Sequence, residues 1–120
     1  MSRSVLIVDD DASFLLLAAR VLRDAGLEVV ATAADAAGAL AAANATRPDA
    51  ALVDVGLPDR EGVDLARELA GLPWRPRVVL TSTDNDAGLV LGAFDGRPML
   101  PFIAKEELAN GALPRLLTAW

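Results

Sequence analysis

The chain has 120 residues, of which 53% are hydrophobic and 23% charged, with a formal net charge of −6. That is enough apolar material for one buried core and too much for a disordered segment. Cysteine and histidine are both absent, which excludes disulfides, thiol nucleophiles, cysteine-ligated zinc and every mechanism that needs an imidazole.

The first predicted element is the apolar block Ser4 to Val8, read as a strand, and Asp9, Asp10 and Asp11 follow it directly. A helix is predicted over about Ala12 to Ala25, stopped by Gly26, a residue suited to a helix C-terminus. Phe14, Leu17, Ala18, Val21 and Leu22 recur at helical spacing and form its expected buried face, with Leu15 and Leu16 partly buried at the edge. Glu28 to Thr32 reads as the second strand. Asp35 then caps a helix from Ala36 to Thr46, which stops before Arg47-Pro48.

Ala50 to Asp54 reads as the third strand, and the third helix spans roughly Arg60 to Ala70, ending at Gly71. The fourth strand is Arg77 to Thr81. The segment Asp84 to Phe94 is the least regular helix, because Gly88 and Gly92 each cost about 1 kcal/mol against alanine in a helix interior. Met99 to Ile103 reads as the fifth strand, and Pro101 within it suits a sheet edge. In the last helix Asn110 serves as N-cap, so that Pro114 falls in the first turn, where no intrahelical N–H is needed. Trp74 and Trp120 are expected to pack at the N-terminal ends of the strands or at the end of the chain.

Several strands are continuously apolar, as parallel strands covered on both faces are. Five strand-helix repeats therefore predict a three-layer α/β sandwich in one domain spanning 1–120, with no effector domain inside it. In such sheets ligands bind beyond the carboxyl ends of the strands. Asp9, Asp10, Asp54, Thr81 and Lys105 all lie at or just past those ends. Lys105 is the sole lysine beside ten arginines, a compact charge on a flexible stem where the composition otherwise favours a guanidinium. Clustered carboxylates repel, and a hard cation such as Mg²⁺, held by one or two carboxylates and completed by water and phosphate oxygens, would offset that. A carboxylate can itself attack phosphorus, and a lysine can neutralise a phosphoryl oxygen. No GxGxxG or GxxxxGK[ST] is present to cradle a nucleotide.

In this order the residues match a known pattern. The chain resembles the receiver domain of two-component response regulators along essentially its whole length. The acidic pair matches Asp9 and Asp10 in Val-Leu-Ile-Val-Asp-Asp-Asp. The phosphoacceptor matches Asp54 in Leu-Val-Asp-Val-Gly-Leu-Pro-Asp-Arg-Glu-Gly, including Leu57, Pro58 and Gly62. The switch hydroxyl matches Thr81 in Val-Val-Leu-Thr-Ser, the aromatic residue matches Phe102, and the lysine matches Lys105.

The resemblance implies a flavodoxin-like (βα)5 fold with parallel sheet order 2-1-3-4-5. It implies Mg²⁺ held by Asp10, Asp54 and the Gly56 backbone carbonyl, with Asp9 acting through water. It further implies transfer of a phosphoryl group to Asp54 from a histidine kinase, phosphotransfer protein or small phosphodonor, with Thr81, Lys105 and Phe102 answering the change. Small residues at Gly56, Ser82 and Thr83 would leave the phosphoryl group open to water.

One departure from the family is Glu106 after the lysine, where proline is common, so a trans bond is expected there. Another is the longer, glycine- and proline-rich stretch between Thr81 and Lys105, which bears on the output face. Leu15 and Leu16 are a candidate kinase-docking patch. The chain is expected to be cytoplasmic, with no direct nucleic-acid binding, no membrane span and no enzymatic activity beyond its own phosphorylation and dephosphorylation. A downstream protein or a separate effector domain would receive its signal, and a homodimer is possible. The alternatives are a binding module of the same fold that works without phosphate, and a small Mg²⁺-dependent phosphohydrolase.

Overall fold

A computed structural model describes residues 3–82, 101–105, 107, 114 and 117. The elements are β1 (Ser4–Val8), α1 (Ala12–Asp24), β2 (Glu28–Ala33), α2 (Ala36–Thr46), β3 (Ala50–Asp54), α3 (Gly62–Ala70), β4 (Arg77–Ser82) and β5 (Phe102–Ala104). The strands pair in parallel in the order β2-β1-β3-β4-β5, the order expected. The whole of the predicted fourth helix and most of the last one, with its Asn110 cap, lie outside the described residues, as do Thr83, Met99, Glu106 and Trp120.

The two faces of the sheet follow from strand alternation. Val5, Ile7, Ala50, Leu52, Val79 and Ile103 turn to one side and pack with Phe14, Ala18 and Leu22 of α1 and with Leu117. Leu6, Val8, Ala51, Val53, Val78 and Leu80 turn to the other, against Ala36, Ala39 and Ala43 of α2 and Val63, Leu65, Ala66 and Leu69 of α3. Every residue of β3 is buried, as a central strand covered on both faces must be. Alanines line the buried side of α2 and let it lie close to the sheet.

Some boundaries and faces differ from expectation. The third helix starts at Gly62 and not at Arg60, because residues 55–61 are spent on the turn out of β3. The described part of the fifth strand runs from Phe102 to Ala104. Pro101 lies just before it and still takes part in the sheet, its carbonyl accepting from the Leu80 N–H at 2.8 Å. Leu17 is 53% exposed and Leu16 76% exposed, whereas helical spacing puts Leu17 on the buried face and Leu16 at its margin. The buried stripe of α1 is Phe14, Ala18, Ala19 and Leu22, so the helix is rotated toward Leu15 and Ala19 and away from Leu17. Helical spacing allows both rotations, and the sheet selects the one that seats the small Ala18 and Ala19 against it. Leu15 is partly buried, as expected.

Candidate functional site

The site is assembled by strand ends. β1 delivers Asp9 and Asp10, β3 ends on Asp54, and β4 pairs Thr81 directly with Asp54. Lys105 follows β5. One carboxylate oxygen from each of Asp9, Asp10 and Asp54 lies within 4.8 Å of the others, with Asp9 and Asp54 buried and Asp10 exposed. Oxygens on opposite sides of an octahedral Mg²⁺ stand about 4.2 Å apart, so three hard oxygen donors at this spacing suit that ion with at most a small closure or an intervening water.

The two carboxylate oxygens of Asp9 are already engaged. Oδ1 accepts from the Asp11 N–H at 2.9 Å, and Oδ2 pairs with the Lys105 ammonium at 2.6 Å. Such a carboxylate is better placed to hold a water near a cation than to bind the cation itself. Lys105 Nζ stands 3.8 Å from Asp54 Oδ1 and 4.5 Å from the centroid of the Phe14 ring. Burial pushes the Asp54 carboxyl above the usual carboxylate range, and the neighbouring Asp9 charge adds to that. The Lys105 ammonium and the Gly56 N–H pull the other way, and Asp10 raises it weakly. A second cation in the pocket would reverse the balance and favour the ionised, nucleophilic form.

The Thr81 hydroxyl is buried and has no hydrogen-bond partner among the described residues. An unsatisfied buried hydroxyl costs about 1–3 kcal/mol, a penalty that an added acceptor on Asp54 would relieve. Phe102 is half-buried and pairs with Leu80 across β4 and β5. Gly56 is exposed in the loop after Asp54. Gly62 lets α3 begin hard against β3, its N–H donating to the Val55 carbonyl at 3.1 Å.

The structure thus brings Asp9, Asp10, Asp54, Thr81 and Lys105 to one rim. Two neighbouring residues escaped the sequence reading as parts of it. Helical spacing marks Phe14 only as a core residue, yet its ring lies under the lysine. Asp59, in the loop after Asp54, carries no sequence signal beyond that of a loop or capping acid. In the fold it caps a helix distant in sequence, its two oxygens accepting from the Ala36 N–H at 2.8 Å and the Ala37 N–H at 3.1 Å. No local spacing could have signalled that pairing.

Residues 5–110 match the family model described as the response regulator receiver domain. The chain is 38% identical over 113 residues to the DNA-binding response regulator MtrA of Mycobacterium tuberculosis strain H37Rv, an alignment covering 92% of this chain and 49% of that protein. It is 40% identical over 80 residues to the transcriptional regulatory protein PdtaR of the same strain, covering 67% of this chain and 39% of that one. The chain therefore spans about half the length, or less, of these curated relatives. Among solved structures, the signal receiver domain of NarL from Mycobacterium tuberculosis aligns with a TM-score of 0.77 at 28% identity, over 96% of both chains. The receiver domain of a modulated diguanylate cyclase from Desulfovibrio desulfuricans aligns with a TM-score of 0.83 at 25% identity, over 99% of this chain and 93% of that one.

Proposed function

The chain belongs to the response regulator receiver domain family of two-component systems, and on that premise we propose that Asp54 accepts a phosphoryl group from a phosphohistidine of a partner kinase or phosphotransfer protein. The observation that carries this reading is the meeting of Asp54 with the oxygens of Asp9 and Asp10 and the ammonium of Lys105 at the end of one strand. An Asp54 oxygen attacks phosphorus as the P–N bond breaks, and the bonding pair leaves with the donor's imidazole nitrogen. The product is a mixed anhydride, the aspartyl phosphate.

Asp10, Asp54 and the Gly56 carbonyl would hold Mg²⁺, with Asp9 acting through water. The ion supplies charge neutralisation for the phosphoryl oxygens. Lys105 then pairs with a phosphoryl oxygen, exchanging part of its contact with Asp9. Thr81 donates its unused hydroxyl hydrogen to another. The shift of Thr81 and Phe102 would alter the surface that a downstream protein or a linked effector domain reads. The relatives' names point to transcriptional control of the whole protein, which this chain would govern through contact and not by touching DNA itself. Among the described residues no helix is long and apolar enough to cross a membrane, which is compatible with a cytoplasmic site of action.

Incubation with acetyl phosphate and Mg²⁺ should add the mass of one phosphoryl group, and Asp54→Ala should abolish the gain. Retention of the label in Asp54→Ala, or no label in the native chain, would reject the assignment. In the second case the phosphate-independent binding module becomes the reading to keep. Steady turnover of an external phosphomonoester would instead identify a phosphohydrolase.

A further inference from the structure

The ring beneath the lysine has no part in the chemistry just described. Phe14 is buried in the first turn of α1 and belongs to the same half of the core as Val5, Ile7 and Leu117. The Asp11 carboxylate fixes that turn by accepting from the Ser13 N–H at 2.9 Å and the Phe14 N–H at 3.3 Å. The ring is therefore held in place. Lys105 is the reverse case, a long stem with several free torsions whose side chain is only 14% exposed. Among the described residues its ammonium meets Asp9 Oδ2 at 2.6 Å, Asp54 Oδ1 at 3.8 Å and the Phe14 ring centroid at 4.5 Å.

The face of an aromatic ring carries negative electrostatic potential, and its pull on a cation grows as water is excluded. Asp9 and, at longer range, Asp54 draw the ammonium by charge, and the ring adds a third fixed attraction that helps to confine it beside Asp54.

We propose that Phe14 is a positioning residue, whose ring holds the Lys105 ammonium where a phosphoryl group on Asp54 will need it. This rests on the phosphoacceptor reading for its purpose, though the ring–ammonium contact is independent of it. The consequence is that the electron density of the Phe14 ring, and not merely its bulk, sets how well the site binds a phosphoryl group.

The test replaces Phe14 with para-fluoro- and trifluoro-phenylalanine, which keep the ring's shape and drain its face of charge. Isotopically labelled lysine gives a single side-chain NMR signal, since the chain has one lysine. Stepwise fluorination should lower the order parameter of the Lys105 Cε. It should also weaken binding of beryllofluoride, a phosphoryl mimic, at saturating Mg²⁺, by about fivefold for the trifluoro ring. Affinity for Mg²⁺ alone and the thermal midpoint should hold. Phe14→Leu should show at least the same loss, with Phe14→Met in its place if that variant fails to fold.

A flat series in Lys105 mobility and beryllofluoride affinity overturns the proposal and leaves Phe14 a packing residue, as does an equal loss of Mg²⁺ affinity, which would mark general distortion. Failure of the native chain to bind beryllofluoride would instead remove the phosphoacceptor reading, while the mobility series still decides the contact.

Discussion

A Cβ added at Gly62 would collide with the Asp54 carbonyl oxygen and stand 2.6 Å from Val55 Cα. Both obstacles are backbone, so relief requires moving α3 or the end of β3. Gly62→Ala is therefore expected to lower stability by about 2 kcal/mol or more and to weaken Mg²⁺ binding, as measured by urea unfolding and calorimetry. Asp54 shows the opposite economy. Burial and the nearby Asp9 charge disfavour its ionised form, and no described side chain other than Lys105 offsets them. Asp54→Asn should raise the stability of the metal-free protein by about 1 kcal/mol while abolishing phosphorylation, the signature of a residue kept for chemistry at the expense of the fold. A stability equal to or below that of the native chain would contradict this.

Asp59 links two elements. By accepting from Ala36 and Ala37 it ties the loop after Asp54 to the N-terminus of α2, while Asp35 caps the same helix by accepting from the Gly38 N–H at 2.7 Å. Its carboxyl lies below the ordinary carboxylate value of 3.8, chiefly because of the Ala36 N–H; desolvation opposes this as the next largest effect, and the Ala37 N–H, its own N–H and Arg60 add smaller lowering contributions. A depressed native value means that the ionised carboxylate is favoured by folding. Its contribution is complete above the unfolded value and disappears as the pH falls through the lower native one. The Ala36 and Ala37 amide signals should accordingly titrate with a midpoint below 3.8, and Asp59→Asn should remove that titration.

On α1, an open groove of about 410 Å³ is lined by Ala12, Leu15, Leu16, Ala19, Arg23 and Thr32, next to the exposed Leu16. If the kinase docks there, Leu15→Asp with Leu16→Asp should slow transfer from it tenfold or more and leave acetyl phosphate labelling unchanged. The position of this groove was half legible. The sequence marked Leu15 and Leu16 but put Leu17 inside, because periodicity defines a stripe only to within a residue and the sheet decides the rest.

Across the whole molecule the strands give the fold two poles. Asp9, Asp10, Asp54 and Thr81 lie at one, and Trp74 lies at the other, where its indole N–H donates to the Pro48 carbonyl at 2.9 Å and Arg47 stands 5.0 Å over its ring. The length of β3, about 13 Å, separates them. Saturating Mg²⁺ should leave the Trp74 emission almost unchanged, and strong quenching would mean that the poles communicate. This polarity was legible in the sequence, because acids and the lysine repeatedly followed apolar blocks and a parallel sheet collects such positions on one rim. Contacts such as Asp59 with α2 and Phe14 with Lys105 were not, since they join residues 22, 23 and 91 positions apart with no shared period.

The sole lysine has one more consequence. A lysine-specific endoprotease has a single bond to cut in the chain, the one after Lys105, and must first draw that side chain away from Asp9 and the ring. The cutting rate is thus a clock for local opening of the site, readable on a gel, and anything that seats itself against the ammonium should slow it.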